Sequence, residues 1–408
     1  MTQLANELDW PISGEDPDSG HACTEILRSY LGMSRKTPEQ VQALRERDPA
    51  CAFGALLQGY FFMLAANPKI SARTGAVLDE LESQPPESDW LAAHIGALRA
   101  WYEQRTDATA AALEVALQAH PQDLLSLRLL HHLYFYEGDG TKMRASLRQY
   151  AHHYRDSTFA GFVAGMEAFA CEESGQYAEA EERAQSALAE NPADAWAIHA
   201  AAHVRQSQHR FEDGVRWLQP RRAVLETLNA FRFHAYWHEA LCHLALGDHA
   251  AALALFDDDI LPAVADDFYL DTCNAAGLLH LLNASGVDVG DRWYDVARIA
   301  ERHLQDRELV FVSLHYAMPF LGREQHAESA ARFKDNLAAW SESETPQGQA
   351  ARYALRILVP VLEGKSPPDR MTVDPLALRV IGGSHTQRAL FEVLAGQPAP
   401  FLALTGRD

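Results

Sequence analysis

The chain has 408 residues, 48% of them hydrophobic and 22% charged, and a formal net charge of −21. That apolar content is enough for a full core and argues against disorder. The acidic balance argues against nucleic acid and anionic membranes as partners, since both call for a positive footprint. Cys23, Cys51, Cys171, Cys242 and Cys273 are far apart, odd in number and lack a CxxC spacing, which predicts free thiols in a reducing compartment. The N-terminal MTQLANELDW has no basic-then-apolar leader pattern, and no apolar run approaches the ~20 residues of a membrane span, so a cytoplasmic protein is expected.

Residues 1–20 are rich in Gly, Pro, Asp and Ser and read as an irregular arm. Helical periodicity starts at His21. Thr37-Pro38-Glu39 is a helix start, with Thr as N-cap and Pro at the first position. CAFGALLQGYFFMLAA is apolar on most faces and is expected to be buried; it stops at Asn67-Pro68. Further helices follow in ISARTGAVLDELESQ and SDWLAAHIGALRAWYEQ, making residues 21–104 a set of N-terminal helical pairs.

From residue 105 to 260 the chain repeats. ATAAALEVALQAHPQDLLSLRLLHHLYFYEGDG and YAEAEERAQSALAENPADAWAIHAAAHVRQSQHR each hold an amphipathic helix, a [HN]-P-x-D turn and a second helix. Met143, Tyr177 and Phe211 open successive first helices, and both intervals (177 − 143 and 211 − 177) are 34 residues, the tetratricopeptide period. A further copy, HEALCHLALGDHAAALALFDDDI, is offset by an insertion, and residues 261–408 stay helical with PPDRMTVDP as a loop or cap. The fold expected is an all-α solenoid of tetratricopeptide-like helix-turn-helix repeats wound as a right-handed superhelix, because one helix pair cannot bury its own apolar face.

The chemical signal lies in NPADAWAIHAAAHV and FRFHAYWHEAL. His199/His203 and His234/His238 are i,i+4 pairs, so each pair shares one helix face. On neighbouring inner helices the four imidazoles converge. Imidazole is both a common transition-metal ligand and the usual acid–base group near neutral pH. The candidate catalytic set is His199, His203, His234 and His238 with Glu172 as orienter. Trp237, Tyr236, His315 and Asp267 are candidate ligand-binding residues, and His203 with His238 candidate ligands of a divalent metal. There is no HExxH. The bland reading is that these rings are satisfied core polar groups. His131-His132 could join the same lining, one ring packed and the other exposed. Asp257–Asp259 lacks the spacing of an EF-hand loop and reads as a solvated turn. Gly383-Ser384-His385-Thr386-Gln387 lacks a Walker lysine and is no phosphate loop.

These residues carry a resemblance. GMEAFACEESGQYAEAEERAQSALAENPADAWAIHAAAHVRQSQHRFEDGVRWL, then FHAYWHEALCHLALGDHAAALALFDDDI, resembles the tetratricopeptide repeat protein 38-like family, most densely from Leu127 to Asp267. LRLLHHLYFYEGDGTKMRASL and the N-terminal LDWPISGEDPDSG also fit it. The resemblance implies that Glu172, His199, His203, His234, Trp237 and His238 belong to one set. The family has an acidic residue shortly after its HAxxHV motif, where this chain has Arg205 and Gln206, and a serine-rich stretch where this chain has Phe268-Tyr269-Leu270.

Three readings of function follow. The first is a His/Glu/Trp-lined concave pocket that binds a small molecule, with a metal and a hydrolytic or acid–base step as options. The second is a protein–protein interaction scaffold that clasps a peptide or partner without catalysis. The third is a structural subunit with packed histidines. A homodimer is compatible with each.

Overall fold

The computed structural model describes residues 2–365 and 375–394. Most of PPDRMTVDP lies outside the described residues. Among the described residues the fold is all-α, apart from one two-stranded antiparallel ladder between β1 (Thr2–Gln3) and β2 (Ser13–Gly14). Backbone contacts divide the chain into two compact units. The first holds residues up to Tyr134, Gly140–Ile198 and Thr227–Asn229; the second holds Phe135–Asp139, His199–Glu226 and Ala230 onward.

In the first unit the arm is ordered by its own polar groups. Asn6 Oδ1 accepts from the backbone N–H of Leu8 and Trp10, and Asp48 accepts from the N–H of Glu15 and Asp16 and from Ser19 Oγ at 2.8–3.2 Å. Trp10 is thereby packed 5.8 Å from the Trp90 ring and 5.7 Å from Phe53. An apolar ring system buried this way stabilises by roughly 2–3 kcal/mol. Helices α1 (Ser19–Leu31), α2 (Thr37–Arg47) and α3 (Ala52–Leu64) follow. The predicted burial of the third is correct: Phe53, Leu56, Leu57 and Tyr60 are essentially inaccessible. Then come α4 (Thr74–Leu81), α5 (Asp89–Tyr102), which Ser88 Oγ caps by accepting from Leu91 N–H, and α6 (Thr106–Ala119).

The repeats are helical hairpins: α7 (Leu124–Tyr136) with α8 (Gly140–Tyr150), and α9 (Ala160–Glu173) with α10 (Tyr177–Glu190). Tyr177 opens its helix as predicted, whereas Met143 lies three residues inside α8, which begins at Gly140. Gly138 and Gly175 close their helices at φ of +67° and +74°, the left-handed region where only glycine is unstrained. The Asp of each [HN]-P-x-D turn is an N-cap. Asp123 Oδ1 accepts from Ser126 N–H at 3.1 Å, and Asp194 Oδ1 from Ala197 N–H at 2.8 Å. The Asp194 cap opens α11 (Ala195–Ser207).

In the second unit, α12 (Phe211–Leu218) packs on α13 (Phe231–Ala245), and α14 (His249–Leu255) folds back on α13 after Gly247. The acidic run Asp257–Asp259 lies on one π-helical turn, with Asp257 and Asp258 solvent-exposed as expected. Asp257 pairs with Arg292 and Asp259 with Arg222, which removes the repulsion that would unwind it. α15 (Tyr269–Ala284) packs on α13, on α17 (Val310–Ala317, after α16, Trp293–Ala300) and on α20 (His385–Leu394, after α18, Ala327–Ser341, and α19, Pro346–Tyr353).

Candidate functional site

A helix advances 100° per residue, so α11 presents His199 and His203 on one face and α13 presents His234 and His238 on another. In the second unit these faces meet. Ring centroids lie 4.3 Å apart for His199–His203, 4.4 Å for His203–His238, 4.6 Å for His234–His238 and 5.0 Å for His199–His234. One nitrogen from each of the four rings falls within 4.8 Å of all the others. All four side chains are buried, His203 and His238 completely.

Two rings of this cluster are oriented from behind. Gln206, one turn beyond His203, donates from Nε2 to the His238 carbonyl at 2.8 Å and approaches Cys242 Sγ at 3.6 Å. That fixes its amide, and Oε1 accepts from His238 Nδ1 at 2.7 Å. On the other side Asn274 Oδ1, from α15, accepts from His234 Nδ1 at 2.9 Å. Both Nδ1 atoms therefore carry the proton, and both Nε2 atoms present lone pairs. Those two Nε2 atoms face each other at 3.1 Å.

Burial holds the His234 imidazole down to about 3, against the partial lift from Asn274, with the neighbouring His203 lowering it further. Burial also pushes His238 well below the ordinary histidine range, helped by the other rings around it. Both are neutral at pH 7, the form that ligates metals.

The remaining sequence candidates fall in different places. Trp237 stacks on His234 with ring centroids 5.3 Å apart and planes 14° apart, and meets His238 edge-on. Tyr236, next in sequence, takes another face of α13: its hydroxyl donates to Glu226 at 2.7 Å and Arg222 lies over its ring. Asp267 accepts from His303 Nε2 at 2.8 Å, in a pair that Asp306 completes on Nδ1. His315 donates from Nδ1 to the Phe311 carbonyl of its own helix at 2.8 Å. Glu172 is buried on α9, in the first unit. His131 is packed against Phe169 and Trp196 in that unit, as expected, and His132 is half-buried rather than exposed.

Sequence reasoning missed three features. The first is the pair of amides, Gln206 and Asn274. The second is His385, whose Nε2 lies 2.6 Å from Ser207 Oγ and whose ring lies 6.2 Å from His203. The signal was present: Ser384 and Gln387 form a reciprocal capping box at the start of α20, with Ser384 N–H donating to Gln387 Oε1 and Gln387 N–H to Ser384 Oγ. The third lies in the first unit, where His94 Nε2 meets Asp123 Oδ2 at 2.9 Å, Ser126 donates to the same carboxylate at 2.6 Å, and Tyr60 lies 3.0 Å from His94 Nδ1. Every member is buried and partnered, as a core polar network requires.

No family model matches the chain. Among solved structures it is similar to the one titled "Crystal Structure of Rap Protein Complexed with Competence and Sporulation Factor", at 13% identity and a TM-score of 0.49, over 79% of this chain and 97% of that chain.

Proposed function

We propose that the protein is a helical-repeat binding protein built around a four-histidine metal centre, with zinc the first-choice ion. The observation that carries the reading is the 3.1 Å contact between two Nε2 lone pairs, His234 and His238, whose Nδ1 protons are both committed to amide oxygens. Two lone pairs at that separation repel unless a cation lies between them. With zinc–nitrogen bonds of roughly 2.0–2.1 Å, tetrahedral ligand nitrogens stand about 3.3 Å apart. The His234–His238 pair is thus already close to the spacing an ion imposes, and the other two donors lie within 4.8 Å of it. The 4.8 Å span of the four donor atoms suits one ion and is too small for an organic substrate.

Gln206 and Asn274 do what outer partners of metal-bound imidazoles do: they set the tautomer, fix the ring plane and raise ligand basicity. Four protein ligands make a closed site, the pattern of metals that hold structure together. The centre joins the face of α11 to that of α13, and the bound ion stiffens the helical array that presents a partner-binding surface. This favours the interaction scaffold over a hydrolytic pocket. The resemblance to the tetratricopeptide repeat protein 38-like family, whose pattern groups the same four histidines, supports treating them as one site.

The test is elemental analysis of protein made without a histidine tag, with His203→Ala and His238→Ala alongside. About one equivalent of zinc, lost in both variants, is expected. Metal-free protein that takes up no zinc, nickel or cobalt, together with variants of unaltered stability, would remove the proposal.

A further inference from the structure

A second reactive centre lies in the first unit, independent of the histidines. Cys23 on α1 and Cys51 are 28 positions apart in sequence (51 − 23), and their sulfurs are 3.7 Å apart. Cys51 is the N-cap residue of α3, at the end of the helix where the first-turn N–H groups lack intrahelical partners. It also lines a pocket of about 290 Å³ with Gln42, Arg45, Glu46, Pro49, Ala55 and Glu80. Cys23 is sealed beneath it with no exposed surface. Cys51, 2% exposed, borders the pocket, whereas Cys23 does not line it, so an oxidant approaching from the pocket meets Cys51 first.

We propose that Cys51 and Cys23 are a peroxide-responsive thiol pair, Cys51 the attacking sulfur and Cys23 the resolving one. In the first step the Cys51 thiolate attacks one oxygen of hydrogen peroxide. The O–O bond breaks, hydroxide leaves and takes up a proton as water, and Cys51 becomes a sulfenic acid. In the second, Cys23 gives up its proton and attacks the Cys51 sulfur; the S–O bond breaks and a second water leaves. Two thiols lose two electrons and one peroxide becomes two waters. A disulfide needs the sulfurs at about 2.05 Å, an approach of roughly 1.6 Å from their 3.7 Å separation.

The electrostatics agree with this division of labour. The hydrogen bond from Cys23 draws the Cys51 thiol below its ordinary value; burial and the nearby Asp48 carboxylate oppose this, and the backbone at Phe53 and Gly54 adds to the lowering. Cys23 is pushed far up, first by that same bond and then by burial. Burial also raises Cys171, Cys242 and Cys273. The pairing confines thiolate character to Cys51.

The experiment exposes the full chain to hydrogen peroxide, alkylates it under denaturing conditions and maps the peptides. Alkylatable thiols are expected to fall from the five of the sequence to three, with Cys23 linked to Cys51. Cys51 should react faster than Cys171, Cys242 and Cys273, whose thiols burial raises. In Cys23→Ser the reaction stops at a Cys51 sulfenic acid that dimedone traps; in Cys51→Ser, Cys23 stays reduced at the same dose. Five alkylated cysteines after peroxide, a link to any other cysteine, or unchanged oxidation of Cys23 in Cys51→Ser would overturn the proposal. The wild-type peptide map decides even if neither variant folds.

Discussion

Replacing Gln206 by Leu separates an orienting role from a packing role. The side chain holds His238 at two points, 2.7 Å to Nδ1 and 2.8 Å to the carbonyl, and it is 1% exposed. Stranding these two groups costs on the order of 1–3 kcal/mol each, and that loss appears in metal-free protein whatever the site holds. The metal-dependent part is separate. Removing an outer partner of a ligating imidazole weakens metal binding about 10–100-fold. At free zinc a thousand times the wild-type Kd, zinc adds about 4.1 kcal/mol to unfolding stability. A Kd weakened 100-fold leaves roughly 1.4 kcal/mol of that increment at the same free zinc. Urea unfolding in chelator-buffered zinc, with and without metal, reads both quantities. Gln206→Glu keeps an acceptor for Nδ1–H and is expected to restore the increment, though not the bond to the carbonyl. If Gln206→Leu loses stability without zinc yet gains from zinc as much as wild type does, Gln206 orients no ligand.

Three further outcomes follow from buried charge. His315 is held down to about 4, chiefly by burial, so the folded state refuses a proton that the unfolded chain accepts from pH 6.5 downward. Its stabilisation is complete above pH 6.5 and is lost as pH falls through about 4; His315→Phe should flatten the slope of unfolding free energy in that window by up to about 1.4 kcal/mol per pH unit, and an unchanged slope would contradict this. Asp271 has no partner on either carboxyl oxygen and burial raises it to about 8, so its contribution is full below pH 3.8 and is lost as pH rises through 8. Asp271→Asn should therefore stabilise at pH 8 by on the order of 3 kcal/mol and change little at pH 4; equal effects at both pH values would refute it. Asp48 stays below the usual carboxylate range because the bonds from Ser19, Asp16 and Glu15 outweigh its burial. Asp48→Ala should cost about 2–4 kcal/mol and open residues 2–18 to proteases; undiminished protection would refute the anchoring role.

The histidines were legible because i,i+4 spacing on one helix is a local signal, and the helical hairpins because the [HN]-P-x-D caps and the 34-residue step from Tyr177 to Phe211 are kept, although Gly140 and not Met143 opens the preceding helix. What supports the histidines was not. Asn274 reaches His234 from 40 positions away, and no spacing announces an amide. Gln206 stood out only as the place where a family acid was missing, yet it is the residue that sets the His238 tautomer. Tyr236 and Trp237 differ by one step of 100°, which is why only the indole lies against the imidazoles. Asp267 was read toward the same centre but is taken up by His303, 36 positions on. The sulfur pair was hidden in the same way: no CxxC spacing marks it, because α1 and the start of α3 bring cysteines 28 positions apart together.

The carboxylate caps have a consequence for how such an array changes over time. Asp123 faces His94, 29 positions earlier; Asp194 faces Gly165, also 29 positions earlier (194 − 165), with a would-be Cβ only 3.0 Å from its Oδ1. One seat is filled by an imidazole. The other has no side chain opposite the acid: Asp194 Oδ2 lacks a hydrogen bond, and burial lifts the acid to about 6. Duplicated hairpins thus keep one acid at one step of the repeat while its surroundings diverge: an imidazole pairs it in one copy, and in the other it lies so close to bare backbone that even a methyl group at Gly165 would crowd it.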